Sequence, residues 1–392
     1  MREGWTRVAL GDICEIRKGQ HPLEKTAPGQ YPLVGTAAEW RTSATFDFVG
    51  QAVCIPMVSS TGHGHASLKR VHFVEGEFAV ANIVAAAVTK DPRVVDGRYL
   101  HAYLQTYRDR LLVTLMQGTA NVSLKIADLV NVPVDLPPLD EQRRIVDLIG
   151  SLDATINMQQ QLRASANRAY RAAARDAFGG SPKRGWPLGE FCEVTIGRQR
   201  NPTHATGPNQ TPYLRSANVK DGNLDLRDVM SMAFSEPERA IYGLEPGDVL
   251  VTEGCGSPAQ LGASASWQGR KYGRVCFQNT LLRLRARPGV SAPEALIHVA
   301  RYLHASGEWR RIASGTNIFH IGVRRARELP IVEMSIGEQA DVSRRLDALS
   351  ALEAAAHTAQ SSSQQFRAAL LGGLLSGRHE IPPTYDRLLE AA

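Results

Sequence analysis

Leu10-Gly11-Asp12-Ile13-Cys14-Glu15-Ile16, closed by Gly19, returns later in the chain as Leu188-Gly189-Glu190-Phe191-Cys192-Glu193-Val194, closed by Gly197. Gly118-Thr119 and Pro133, ahead of Glu141-Gln142, return in the same order as Gly315-Thr316 and Pro330, ahead of Glu338-Gln339. The offset is 178 residues at the opening of the copies and 197 at their close, so the second carries 19 more residues in its interior. A chain written twice is built of two related modules, and unequal interiors point to similar tasks on two different targets.

Each copy has two textures. Residues 1–136 and 184–332 are rich in Gly, Pro, Val and Thr, with runs such as Ala52-Val53-Cys54-Ile55-Pro56-Met57-Val58 and Asp248-Val249-Leu250-Val251-Thr252. These read as strands joined by turns. Leu100, Tyr103, Leu104, Tyr107, Leu111, Leu112 and Leu115 fall at helical spacing and predict a helix from Gly97 to Met116. Leu296, Val299, Ala300, Leu303 and Trp309 predict its counterpart from Ala292 to Ile312. Each module therefore mixes α and β.

Beyond each module the periodicity changes. From Glu141 the apolar residues run Ile145, Leu148, Ile149, Leu152, Ile156, Leu162, Ala166, Ala169, Tyr170 and Ala173. From Glu338 they run Val342, Leu346, Leu349, Leu352, Ala356, Phe366, Leu370 and Leu374. Steps of three and four predict two long amphipathic helices, over 137–180 and 335–377. Ser335-Ile336-Gly337-Glu338 reads as a capping box, and Pro137-Pro138 suits an opening turn that needs no amide. Gly179-Gly180-Ser181-Pro182 stops the first helix, and Gly372-Gly373 with Gly377 loosens the end of the second. Each helix could pack only on its own module, but the length favours pairing of the two as a coiled coil. About 38 residues at ~1.5 Å each make a rod of roughly 57 Å, a spacer between the modules. The expected fold class is α+β: two similar mixed α/β domains, 1–136 and 184–332, separated by two long helices forming an antiparallel coiled coil. A tail occupies 378–392.

The 392 residues suffice for two cores, and 43% hydrophobic with 21% charged residues is ordinary for a soluble globular protein. No run of about 18 apolar residues exists to span a membrane. The opening Met1-Arg2-Glu3-Gly4-Trp5 lacks the apolar centre of a secretory signal. Five cysteines form no CxxC pair, which argues against zinc and disulfides and for a reducing cytoplasm. The net charge of +6 is compatible with a polyanionic partner.

Enzyme motifs are missing: there is no GxxxxGK[ST] loop, no HExxH and no GxSxG elbow. Gly254-Cys255-Gly256 reads as a tight turn, and Gly62-His63-Gly64-His65 as a flexible polar loop. His204, His298, His304 and His320 are scattered. No catalytic, metal or cofactor site is expected. Recognition remains. Basic and amide residues cluster at turns of the strand-rich parts: Lys18 and Gln20, beside Arg17; Lys69 and Arg70; Arg198, Arg200 and Asn201; Arg215, Asn218 and Lys220; Arg270, Lys271 and Arg274. Such side chains neutralise phosphates or read base edges, and their recurrence in both copies points to a polyanion-binding surface.

The chain resembles, over nearly its whole length, the DNA-specificity subunits of type I restriction–modification systems. The resemblance rests on Trp5 with Leu10-Gly11-Asp12-Ile13, Trp186-Pro187-Leu188-Gly189-Glu190, and the lead-in Leu136-Pro137-Pro138-Leu139-Asp140-Glu141-Gln142-Arg143-Arg144-Ile145-Val146. It extends to Tyr213-Leu214-Arg215-Ser216-Ala217-Asn218-Val219, Pro246-Gly247-Asp248-Val249-Leu250 and Leu370-Leu371-Gly372-Gly373-Leu374-Leu375-Ser376-Gly377. The second lead-in, Met334-Ser335-Ile336-Gly337-Glu338-Gln339, departs by lacking the paired prolines.

The resemblance implies two target-recognition domains, each reading half of a bipartite, asymmetric double-stranded DNA target. The helices would set the half-site spacing and dock two modification (methyltransferase) subunits, with Glu141, Gln142, Glu338 and Gln339 as docking residues. A restriction (nuclease-translocase) subunit then joins. It implies no catalytic residue in this chain, and a bacterial or archaeal cytoplasm. Two other readings stay open: the specificity component of a type II-like system, and a coiled-coil scaffold with protein-binding modules.

Overall fold

The computed structural model describes residues 2–61, 64–119, 121–179, 185–201, 205–269 and 273–389. Contacts divide the chain into two units, Met1–Met158 with Ala359–Ala392, and Gln159–Thr358. The long helices are Leu139–Phe178 and Ile336–Leu375, 40 residues each. Each therefore gives one half to each unit.

In the first unit, strands Cys14–Lys18, Val84–Thr89, Ala52–Pro56 and His72–Val74 form an antiparallel sheet in that order. Alternation along Ala52–Pro56 buries both of its faces: Val53 and Ile55 join one core, Ala52 and Cys54 another. A second sheet orders Arg41–Ser43, Tyr31–Val34, Glu77–Val80 and Phe48–Val49, with the central pair parallel. Thr6–Ala9 pairs with Pro133–Leu136, which fixes the start of the chain beside the helix lead-in.

The second unit repeats this plan. Cys192–Ile196, Leu281–Ala286, Val249–Thr252 and Ser264–Ser266 follow the same order, and Gln210–Leu214 runs parallel to Cys276–Phe277. Trp186–Pro187 pairs with Pro330–Ile331. Most of the extra length sits at one place. Only the short strands Arg41–Ser43 and Phe48–Val49 lie between Val34 and Ala52, whereas a hairpin, Val219–Lys220 with Asn223–Leu224, the strand Met230–Ala233 and a helix, Glu236–Tyr242, lie between Leu214 and Val249.

The helices expected over Gly97–Met116 and Ala292–Ile312 are each broken. Gly97–Thr106 ends at Tyr107, whose φ of −97° and ψ of 12° leave the helical region, and short turns follow at Arg108–Leu111 and Val113–Leu115. Pro293–Ala305 stops before Gly307, whose φ of +81° suits glycine, and Glu308–Arg311 begins anew.

The capping box at Ser335 is formed: Glu338 accepts from the Ser335 amide at 2.8 Å and hydroxyl at 2.7 Å. Gly372 and Gly373 stay helical, and the chain turns only at Gly377, with φ +71°. In the first unit, Ile149 shares a core with Leu371, and Asp153 bonds Arg367 at 2.8 Å. In the second, Arg163 faces Glu353 at 3.8 Å, and Tyr170 meets Asp347 through His298. Rising numbers on one helix meet falling numbers on the other, so the halves pair antiparallel. They also pack on the modules. Ile145 and Ile149 join Leu10, Leu100 and Leu136, and Tyr170, Ala174 and Phe178 join Leu188 and Leu296. Burying each such isoleucine contributes about 1.5–3 kcal/mol.

The tail folds onto the first unit. Ile381 is buried, Tyr385 donates to Asp147 at 2.8 Å, and Arg144 grips Asp386 at 2.7 and 2.8 Å. Arg2 reaches Glu380 at 2.8 Å and Glu141 at 2.5 Å. The two ends of the chain thus meet at the opening of the first long helix.

Candidate nucleic-acid interface

In the second unit, four segments converge on the turn Gln278-Asn279-Thr280 between strands Cys276–Phe277 and Leu281–Ala286. The loop leaving Gly197 exchanges bonds with it: Arg198 donates its amide to Phe277 at 3.1 Å and accepts from the Asn279 amide at 3.0 Å. Gln278 donates to Leu214 at 2.9 Å, and the Ser216 amide donates to the Thr280 hydroxyl at 3.1 Å. Glu253 and Gly254 both donate to the Thr280 carbonyl, at 2.9 and 3.3 Å. The fourth segment, Ser314 to His320, arrives because Gly254–Cys255 pairs with Phe319–His320.

The first unit builds the same hub. Asn82 donates its amide to His21 at 3.0 Å, Ala81 to Val34 at 3.0 Å, and Met57 to Ile83 at 2.9 Å. Leu124 donates to Met57 at 2.8 Å and brings in the Gly118 loop. Glycines make this possible. A Cβ at Gly19 or Gly197 would collide with the carbonyls of Val80 or Gln278, and Gly118 and Gly315 have φ of +127° and +115°.

Exposed Lys18 and Gln20 flank Gly19 at the first hub. Lys69 joins through its loop, its amide donating to the Ser60 hydroxyl at 3.0 Å, with half-buried Arg70 next to it. Arg200 and Asn201 are exposed beside Gly197 at the second hub. Arg198 is held inward: Glu238 lies at 2.6 Å, the Ala233 carbonyl at 2.6 Å, and its guanidinium stacks 5.0 Å from Phe234. Burial alone would raise the Glu238 carboxyl, but hydrogen bonds from Ser235 and the charge of Arg198 outweigh it and leave it below the usual range. Arg215 stands at the hub paired with Asp228.

The structure separates other candidates. Asn218 is buried, accepting from the Arg215 amide and donating to the carbonyls of Asp225 and Asp228 at 2.9 and 2.8 Å. Its amide holds the loop, so it has no face to offer DNA. Lys220 lies on the inserted hairpin, next to Asp221, which faces Arg301 at 3.9 Å. Arg274 pairs with Glu236 at 2.7 Å, away from the turn. Arg270, Lys271, His63 and His204 lie outside the described residues. Among the described residues no group of His, Cys, Asp and Glu gathers as a metal site, and no helix is long and apolar enough to cross a membrane.

Residues 2–168 match the family model of the type I restriction modification DNA specificity domain. This stretch is similar to that domain. A curated relative, the type I restriction enzyme EcoKI specificity subunit of Escherichia coli (strain K12), is 24% identical over 218 residues, which are 50% of this chain and 46% of that protein. The match thus spans about half the length of that relative. Two solved structures share the fold. The type I restriction-modification S subunit from M. genitalium aligns with TM-score 0.60 and 16% identity, over 94% of this chain and 96% of that one. A chain from a study of complex assembly and conformational transition of the type I R-M system aligns with TM-score 0.56 and 18% identity, over 95% and 98%.

Within this architecture, the four residues expected to dock subunits divide. Gln142 and Gln339 are fully buried and tie each long helix to its module. Both are corrected from docking to structural residues, because every polar atom of the side-chain amide is committed internally. Glu141 binds Arg2 and the Trp5 indole at 3.2 Å, and Glu338 caps its own helix. The Gly254-Cys255-Gly256 stretch is also corrected: its first two residues are a strand, not a tight turn. Sequence reading missed Glu253 and its partner His320. The one local signal was that His320 closely follows the repeated Gly315-Thr316.

Proposed function

We propose that the chain is the DNA-specificity subunit of a type I restriction–modification complex, reading a bipartite, asymmetric duplex target. One observation carries this reading: two hubs held by equivalent main-chain hydrogen bonds present different loops. Equal frames suit one kind of ligand, and unequal loops suit two different sequences. Basic side chains at each hub (Lys18, Lys69, Arg70, Arg200 and Arg215) would hold the phosphate backbone, while Gln20, Asn201 and neighbouring loop residues inspect base edges. Lys220, Arg270 and Lys271 would add further positive charge for the same duplex.

The chemistry would belong to partners in the bacterial or archaeal cytoplasm: two modification subunits, which must flip a base to methylate it, and a restriction subunit. The specificity architecture and the absence of enzyme motifs support a non-catalytic role. Mapping methylated bases across the genome of a host carrying this chain and its neighbouring genes tests the reading. Exchange of residues 1–136 for another module should change one half of the methylated sequence and spare the other. If both halves change together, or no methylation depends on the chain, the reading fails.

A further inference from the structure

Glu253 and His320 form a pair that one module has and the other lacks. Glu253 is only 3% exposed, yet its carboxylate accepts from His320 Nδ1 at 3.0 Å and from the Gly322 amide at 3.1 Å. A buried carboxylate is costly unless its oxygens are filled, so this pairing is a built feature. The His320 side chain is 53% exposed. With Nδ1 donating to the carboxylate, Nε2 is the polar atom left for another molecule. The ring packs over Gly254, where a Cβ would come within 2.9 Å of it. Arg325 braces the same loop by donating to the His320 carbonyl at 3.1 Å and the Ser314 hydroxyl at 2.8 Å.

The hydrogen bonds of the hub give the equivalent positions in the first unit. Glu253 donates its amide to Thr280 and accepts from Ile321, just as Met57 donates to Ile83 and accepts from Leu124. His320 bridges Ser314, just as Ser123 bridges Gln117. Met57 and Ser123 therefore stand where the second unit has Glu253 and His320. Phosphates are the same in every half-site, whereas bases are not. A pre-oriented polar group private to one module suits the reading of a base.

We propose that His320, oriented by Glu253, contacts a base edge in the half-site read by the second unit. His320 is then a specificity-determining residue and Glu253 a positioning residue. The proposal rests on the DNA-reading function above, and its test separates the two. Full-length chain, purified from its host with whatever subunits accompany it, is equilibrated at fixed salt with a duplex library of randomised interior, and the bound fraction is sequenced.

Wild type should yield a two-part consensus. His320→Ala should relax one position of one half from about tenfold preference to below about twofold, with the other half unchanged. Glu253→Gln, which keeps the side chain's shape, should relax the same position, and the double change Glu253→Met with His320→Ser should erase that preference. Melting curves identify variants that remain folded. If folded His320→Ala and Glu253→Gln keep the wild-type consensus, this proposal is overturned and the DNA-reading function stands. Equal relaxation in both halves overturns it too, since the residue would then hold the frame. A wild-type chain without sequence preference overturns both.

Discussion

Gln142 and Gln339, 197 positions apart, make the same three hydrogen bonds in the two units. Gln142 accepts from the Asp96 amide at 2.9 Å and donates to Val94 at 3.0 Å and Pro137 at 2.8 Å. Gln339 accepts from the Ala292 amide at 2.8 Å and donates to Val290 and Met334, both at 2.9 Å. Asp96 and Ala292 are the caps of the helices Gly97–Thr106 and Pro293–Ala305. One amide thus fastens the first turn of each long helix to the start of its module's own helix.

Gln142→Ala leaves one buried donor and two buried acceptors unpaired, and should cost about 2–4 kcal/mol. Urea unfolding measures the loss, and hydrogen exchange locates it: the Asp96 amide should exchange faster while the Ala292 amide keeps its rate. A loss under about 0.5 kcal/mol would show that the clip is dispensable.

Acid should weaken the second unit through His298. Burial holds this imidazole below its ordinary value near 6.5, against the opposing pull of Asp347 at 3.1 Å. The Tyr170 hydroxyl, 3.0 Å from its other nitrogen, is pushed up to about 12 by burial and stays protonated. Because the folded value lies below the unfolded one, the unfolded chain takes up the proton first. Stability is then fully present above about pH 6.5 and falls as pH drops from there through the folded value. Urea midpoints between about pH 7.5 and about pH 5 should fall for wild type and less steeply for His298→Asn. Some slope should remain, since burial also depresses His101 and His72. Equal slopes in both proteins would rule out His298 as the source.

The location of a cation should decide its effect on DNA binding. Arg200→Ala, at the second hub, should weaken binding by about 1 kcal/mol or more and lower the salt slope by about one. Arg274→Ala, paired with Glu236 away from the turn, should leave both nearly unchanged. Titration of one duplex at several salt concentrations gives both quantities. The reverse ranking would move the interface away from the hub.

Pairing of the helices can be tested at Asp153 and Arg367, which are 47% and 31% exposed. A double-mutant cycle with Asp153→Ala and Arg367→Ala should give a coupling of about 0.2–1 kcal/mol, small because solvent screens the pair. Zero coupling would mean that this bidentate contact does not persist in solution.

The repeat and both long helices were legible in the sequence because their signals are local: matched openings, three-and-four spacing, and Ser335 ahead of Glu338. The hubs were not. Arg198, Ser216, Thr280 and His320 meet only after strands pair across long separations, and no short window carries that information. Amide side chains misled for a related reason. Asn218, Gln142 and Gln339 sit in conspicuous motifs, and motif position cannot tell an outward amide from one that satisfies buried backbone. Glu253 was overlooked beside three small residues that read as a turn.

The hubs are fastened almost wholly by main-chain groups, which every amino acid except proline supplies in full. Side chains on the converging loops can therefore be exchanged without unfastening the frame that presents them. Such a scaffold lets its preferred target drift through successive substitutions while the fold stays put, and each module can wander independently of its twin.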